Sequence, residues 1–194
     1  SEESLVPDED ETDPKRGTWV PITTSPMVDV APWREGSKLL RGMVHGVQKD
    51  AALASGVRLL GRVLRTGPFH ADVAGLGDVG FHVPAIALWL DGKKSGETHV
   101  LGRLVSVGRN EQGQLLMVWK ASLPLESEGP ERARLYTGSG DPGVPRGLLI
   151  GEAWLPPGPG PHTLLVEPPP EPRILQDVKL FRFEGPSRFV RRSR

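Results

Sequence analysis

Glu152 has the setting that most invites chemistry. It lies in RGLLIGEAWL (146–155), where alternation places Leu148, Ile150 and Trp154 on one side of an extended chain. A carboxyl buried there carries a raised pKa and acts as an acid or a base; the bland reading turns it to solvent or pairs it with an arginine. The five histidines, His45, His70, His82, His99 and His162, show no HxH or HExxH spacing. His70 and His82 flank a glycine-rich turn and could meet Asp72 or Asp78 around a metal, although scattered histidines on strand edges are commoner. GLGDVG (75–80) and GSGDPG (138–143) both spell a dinucleotide-binding loop. That chemistry needs a helix N-terminus after the loop to receive the pyrophosphate. Phe81-His82-Val83-Pro84 follows the first and Val144-Pro145 the second, so both read as turns. No GxSxG elbow or Walker loop occurs, and the absence of cysteine excludes thiol catalysis, disulfides and thiolate metal sites. The expectation is a chain that is not an enzyme, with no catalytic residue, no cofactor and no metal.

The charged ends offer a different chemistry. Arg182, Arg188, Arg191, Arg192 and Arg194 face Glu184 as the only nearby acid, and Phe183 and Phe189 offer stacking surfaces. Such a tail suits nucleic-acid phosphates or a neighbouring subunit. Glu2, Glu3, Asp8, Glu9, Asp10, Glu11 and Asp13 stand at the other end without a base, so opposed termini could pair between copies. The formal net charge is +0, which gives no overall field toward nucleic acid or membranes. No apolar run approaches the roughly 18–20 residues that span a bilayer, no signal peptide opens the chain, and no membrane partner is expected. Ser1 in place of Met allows a trimmed initiator or a cleaved precursor.

The elements that must position these residues read as strands. The centre is HVLGRLVSVGRNEQGQLLMVWKAS (99–122), two apolar runs flanking a Gly-bounded polar loop. Leu101, Val105 and Val107 share one face of the first run, and Leu115, Met117 and Trp119 one face of the second. That period-two pattern is a β-hairpin within a larger sheet or sandwich. Around it, 17–24 reads as an edge strand because Pro21 cannot donate to an interior ladder. Residues 38–47, 56–65, 79–90, 146–155, 162–166 and 174–183 read as further strands, with Pro84 marking a bulge or a break. In 56–65 Leu59, Leu60, Val63 and Leu64 also fit a helix stripe, and Gly56, Gly61 and Gly67-Pro68 favour the strand. Residues 48–54 are the best helical candidate, 91–96 a turn, 134–136 a short strand within the polar connection 127–145, and 167–172 polyproline II. The 24 glycines and 20 prolines fall between apolar runs, which favours short strands joined by turns. The fold class is all-β, an antiparallel β-sandwich of jelly-roll type with at most one or two short helices. Its layout is an acidic arm (1–16), the sandwich (17–184) and a basic tail (185–194).

Three stretches carry a family resemblance: Ala-Ser-Gly-Val-Arg-Leu at 54–59, the run 81–90 ending in an aromatic-aliphatic pair, and 172–190 with its Arg-Phe and Phe-Val ending. They resemble the jelly-roll coat proteins of picorna-like viruses, especially the small coat protein of comoviruses. The resemblance implies a virion structural protein built from two four-stranded sheets. Its partners would be copies of itself or other coat subunits, with nucleic acid reached through the C-terminal arginines. The alternatives are a soluble, cytoplasmic β-sandwich module that recognises a protein or glycan through loops 67–80 and 123–145, and a small enzyme using Glu152 or His82.

Overall fold

The computed structural model describes residues 17–22, 37–39, 41–90, 99–122, 129–169 and 178–183. Their regular structure is twelve strands and one turn of 3-10 helix (Met43–His45). The strands are β1 (Gly17–Pro21), β2 (Ser37–Leu39), β3 (Ala52–Ser55), β4 (Arg58–Thr66), β5 (Ala71–Gly75) and β6 (His82–Trp89). They continue with β7 (His99–Arg109), β8 (Leu115–Ala121), β9 (Glu131–Thr137), β10 (Leu149–Leu155), β11 (Pro161–Val166) and β12 (Val178–Phe183). The all-β expectation holds.

Strands follow the path β1-β12-β3-β4-β10-β9-β6-β7-β8-β11, with β5 paired to β4 and β2 to β5. Every pairing is antiparallel except the short contact of β4 with β10, where Leu149 lies opposite Arg58. The path then returns to β10. Glu152 N–H donates to the Glu167 carbonyl at 2.9 Å, and Glu167 N–H donates back at 2.8 Å. Strands β10, β9, β6, β7, β8 and β11 therefore close into a ring through this one bridge, which shortens the sheet edge an open sandwich would leave.

Two cores follow from this path. The ring surrounds Leu104, Leu115, Met117, Trp119, Leu135, Ile150, Leu155 and Leu164. Strands β1, β12, β3, β4, β5 and β2 wrap a smaller core of Ile22, Leu53, Leu60, Val63, Val73, Val178 and Leu180. The wall between them is β3 with β4. Ala52, Ala54 and Leu59 point to the large core, while Ala51, Leu53, Leu60 and Val63 point to the small one. Burial on both faces explains why AALA and RLLGRVL are nearly continuous apolar runs rather than alternating ones.

That double burial also overrides local propensity. Residues 48–54 form no helix: Lys49 and Asp50 make a turn, and β3 begins at Ala52. Tertiary packing decides such short apolar segments. The strand expected over 38–47 is confined to Ser37–Leu39 among the described residues, and Gly46 ends the following 3-10 turn at φ 76°. Strand β6 passes unbroken through Pro84. The Pro84 carbonyl accepts from Gly138 N–H at 2.8 Å, so its missing donor faces the end of β9, where ladder pairing starts only at Ala85. The short strand expected at 134–136 extends over all of β9.

The central hairpin forms as expected, between β6 and β11 in the ring. Leu115, Met117 and Trp119 point into the core, whereas the Leu101 and Val107 face points out. Gly102 makes the packing possible, since a Cβ there would lie 2.6 Å from the Trp119 ring. In β10, a bulge between Leu149 and Gly151 shifts the alternation. A one-residue shift turns every later side chain to the other face. Ile150 and Leu155 are consequently buried while Trp154 is 59% exposed. The acidic arm 1–16, the turn at 91–96, the extended segment 170–172 and the tail 185–194 lie outside the described residues.

Candidate functional site

Bulge and ring closure together place Glu152. It stands on the outer face of β10, opposite Arg134 on β9. Its Oε1 accepts from Arg134 Nε at 3.0 Å and from Nη2 at 2.9 Å, and its Oε2 pairs with Arg132 Nη2 at 2.7 Å. Both carboxylate oxygens are thus engaged by guanidinium groups on the neighbouring strand. The hydrogen bond to Glu152, followed by one to Tyr136, holds the Arg134 guanidinium above its ordinary pKa, with burial opposing weakly. The paired-carboxylate reading of Glu152 describes the geometry.

Beyond the Glu152–Glu167 bridge, the ladder between β10 and β11 does not continue among the described residues. The two strands splay into a shallow cleft lined by Arg132, Glu152, Trp154, Thr163, Leu165 and Glu167. Arg132 of β9 with Glu152 and Trp154 of β10 lies along one side, and Thr163, Leu165 and Glu167 lie along the other. This is a surface for contact, open to solvent.

The two glycine-rich loops lock the lobes. In 75–80, Asp78 Oδ2 accepts from Gly75 N–H at 2.6 Å, and Gly80 N–H donates to the Ser106 carbonyl of β7 at 2.9 Å. In 138–143, Gly138 N–H goes to Pro84, and Gly143 N–H goes to Asp141 Oδ1 at 3.0 Å. Amides that would cradle a phosphate are engaged by protein acceptors. The second loop also reaches across the junction. Ala52 N–H of β3 donates to the Gly143 carbonyl at 2.8 Å, and Asp141 Oδ2 pairs with Arg62 Nη1 of β4 at 3.0 Å. Arg62 further donates to the His82 carbonyl at 3.1 Å and lies 3.5 Å from Asp50 Oδ1. Asp50 itself adopts a positive φ of 68°. Sequence reading passed over Arg62, which looked like one more charge in GVRLLGRVLR. Its signal was an arginine inside a run whose two faces are both apolar.

The histidines stay apart from any acid cluster. Asp72 is bound to Arg65 at 2.6 Å, Asp78 caps its own turn, and His82 Nδ1 lies 3.2 Å from the Gly80 carbonyl. Among the described residues no three His, Asp or Glu side chains are placed to hold a metal ion. Of the C-terminal arginines, Arg182 is the described one. It lies on β12 with Nη2 3.4 Å from the His45 carbonyl, while Phe183 is held by reciprocal bonds to Gln48 at 3.0 and 3.1 Å. Arg188, Arg191, Arg192 and Arg194 lie outside the described residues.

No protein-family model matches the chain, and no curated protein matches it by sequence. The fold does match solved structures. MreC from Listeria monocytogenes superposes with a TM-score of 0.57 at 19% identity, over 87% of this chain and 76% of that one. Two crystal forms of the major periplasmic domain from the cell shape-determining filament MreC give 0.56 at 13% identity and 0.55 at 17%. Each covers 87% of this chain, and they are covered over 96% and 98% of their own lengths. At these identities the likeness establishes a shared fold.

These neighbours overturn the viral reading. The structures that share this fold are MreC, a bacterial cell-shape protein, and not coat proteins of picorna-like viruses. The physical reason lies in the path of the chain. The stretches that suggested two four-stranded sheets instead contribute β4 and β12 to one lobe and β6 to a closed ring beside it. A virion function and a virion location fall with the resemblance, and so does the loop-recognition module.

Proposed function

We propose that the chain is a non-catalytic structural domain of a bacterial cell-shape apparatus, a rigid two-lobed β-body held at the cell envelope. The observation that carries this is the two-core path itself, shared over 87% of the chain with periplasmic MreC domains. The chemistry of these sites agrees with a scaffold role. Glu152 is engaged by Arg132 and Arg134, and both glycine-rich loops use their amides to brace the fold. Copies of the same chain are the partner this reading favours, since one neighbour is described as a filament. Depleting the protein in the bacterium that encodes it should alter cell shape, and a tagged chain should fractionate with the envelope. Unchanged shape together with a cytosolic tag would refute the reading.

A further inference from the structure

The zero net charge of the whole chain hides an uneven distribution. In the small lobe, the described residues 17–75 and 178–183 carry eight Lys or Arg and only two acids, Asp50 and Asp72. The described remainder carries six of each sign. At one end of the basic lobe two short loops form a single knob. Met43 N–H donates to the Gly67 carbonyl at 2.9 Å and Val44 N–H to the Pro68 carbonyl at 3.2 Å. His45 and Gly46 donate within the first loop, and Gly67 donates to His70 within the second. The side chains at its tip are apolar and outward: Met43 is 55% exposed, Val44 63% and Phe69 69%. Arg41 adjoins the first loop, Arg182 reaches its His45 carbonyl, and Arg65 and Lys38 flank Asp72 in register on β4, β5 and β2. That one nearby acid is already bound to Arg65.

We propose that this knob docks the small lobe onto an anionic lipid surface. Two features select that occupant. An apolar tip ringed by cations matches a surface with negative headgroups over a hydrocarbon interior. The loop amides of Met43, Val44, His45, Gly46 and Gly67 are all bonded internally, so entering the interface strands no backbone donor among them. The expectation of no membrane partner rested on the average charge and on the lack of a spanning segment. Docking requires neither. The inference stands on these residues and not on the cell-shape reading.

The absence of cysteine makes a direct test available. Phe69→Cys and, as a control on the large lobe, Val79→Cys (79% exposed) are each labelled with an environment-sensitive fluorophore in the full chain. Vesicles of phosphatidylcholine with and without phosphatidylglycerol are then added. The label at 69 should shift to the blue only with the anionic vesicles and lose that shift in high salt, while the label at 79 stays unchanged. Separately, the unlabelled chain should float with anionic vesicles. A folded Met43→Ser/Val44→Ser/Phe69→Ser variant should bind at least about tenfold more weakly. Equal flotation of both chains, or no response at 69, would overturn the proposal. So would a blue shift at 69 that grows with protein concentration without vesicles, since a second copy would then be the occupant.

Discussion

Replacing Arg62 by Met should weaken the junction between the two lobes. The Arg62 side chain is 7% exposed and that of Asp141 14%, and their 3.0 Å pair joins β4 to the loop that feeds β10. Removing one partner of a buried pair typically costs about 3–5 kcal/mol, because the other charge stays desolvated. Asp141 keeps its bond from Gly143 N–H, which places Arg62→Met near the lower end, at about 3 kcal/mol. Asp50, half-exposed and 3.5 Å away, adds little. Asp141→Ala leaves Arg62 with carbonyl acceptors and the half-exposed Asp50 carboxylate and should cost a similar amount. The double variant Arg62→Met/Asp141→Ala should recover about 1.5–3 kcal/mol relative to additivity, since neither charge is then stranded. Urea unfolding followed by tryptophan emission measures all four corners of the cycle. For a chain of this length, 3 kcal/mol also corresponds to a fall in Tm of roughly 6–12 °C. Additive single effects, or single effects below about 0.5 kcal/mol, would refute the role of the pair as a junction lock.

Other positions test other joints. Gly102→Ala drives a methyl into the Trp119 ring and the Lys120 carbonyl, so it should destabilise by roughly 1–3 kcal/mol in the same urea assay. Glu152→Gln weakens two partly exposed ion pairs and should cost no more than about 1 kcal/mol, with the loss diminishing in high salt. Gly151→Ala places a Cβ 2.5 Å from the Glu167 carbonyl, displacing the two ring-closing bonds at about 1 kcal/mol each. Hydrogen exchange should accelerate at the Glu152 and Glu167 amides while Val63 in the small lobe stays protected. Unchanged exchange at 152 and 167 would mean that the ring does not depend on that bridge.

Strand content was legible because it is written in local pattern. The alternation at 115–119 and the polar loop before it fixed the hairpin without help from the rest of the chain. Residues 48–54 were misread because Ala51 to Ala54 are buried on both faces, and period-two alternation disappears when a strand separates two cores. Trp154 was placed on the wrong side because the bulge at Leu149/Gly151 leaves no mark in residue type beyond one glycine. The site was legible only in part. Pairing with an arginine was the recognised alternative for Glu152, but which arginines stand opposite is a matter of register between β9 and β10. Arg62 and Asp141 are 79 residues apart, and nothing local announces that they meet. The viral resemblance failed for the same reason. Short strand motifs record local alternation and say nothing about the order in which strands pair.

Averages misled in one more respect. A net charge of zero is compatible with a neutral lobe beside a basic one, and only the fold says which residues share a lobe. The large ring is closed at β10 and β11 by one bridge, and where these strands splay that lobe offers a side-chain surface for contact, the cleft lined by Arg132, Trp154, Thr163 and Leu165. The small lobe is different: it is basic, and its loops raise Met43, Val44 and Phe69 to the surface while the Met43 and Val44 amides stay paired. A body with one lobe suited to a lipid surface and another presenting a mixed charged and aromatic face can be oriented at a membrane while its far side stays available. The Arg62–Asp141 pair matters to that arrangement because it is one of the contacts that join the two, beside the Ala52–Gly143 and Leu149–Val57 backbone bonds. If the lock is broken and each lobe stays folded, lipid docking should survive, and any interaction that needs both lobes at once should not.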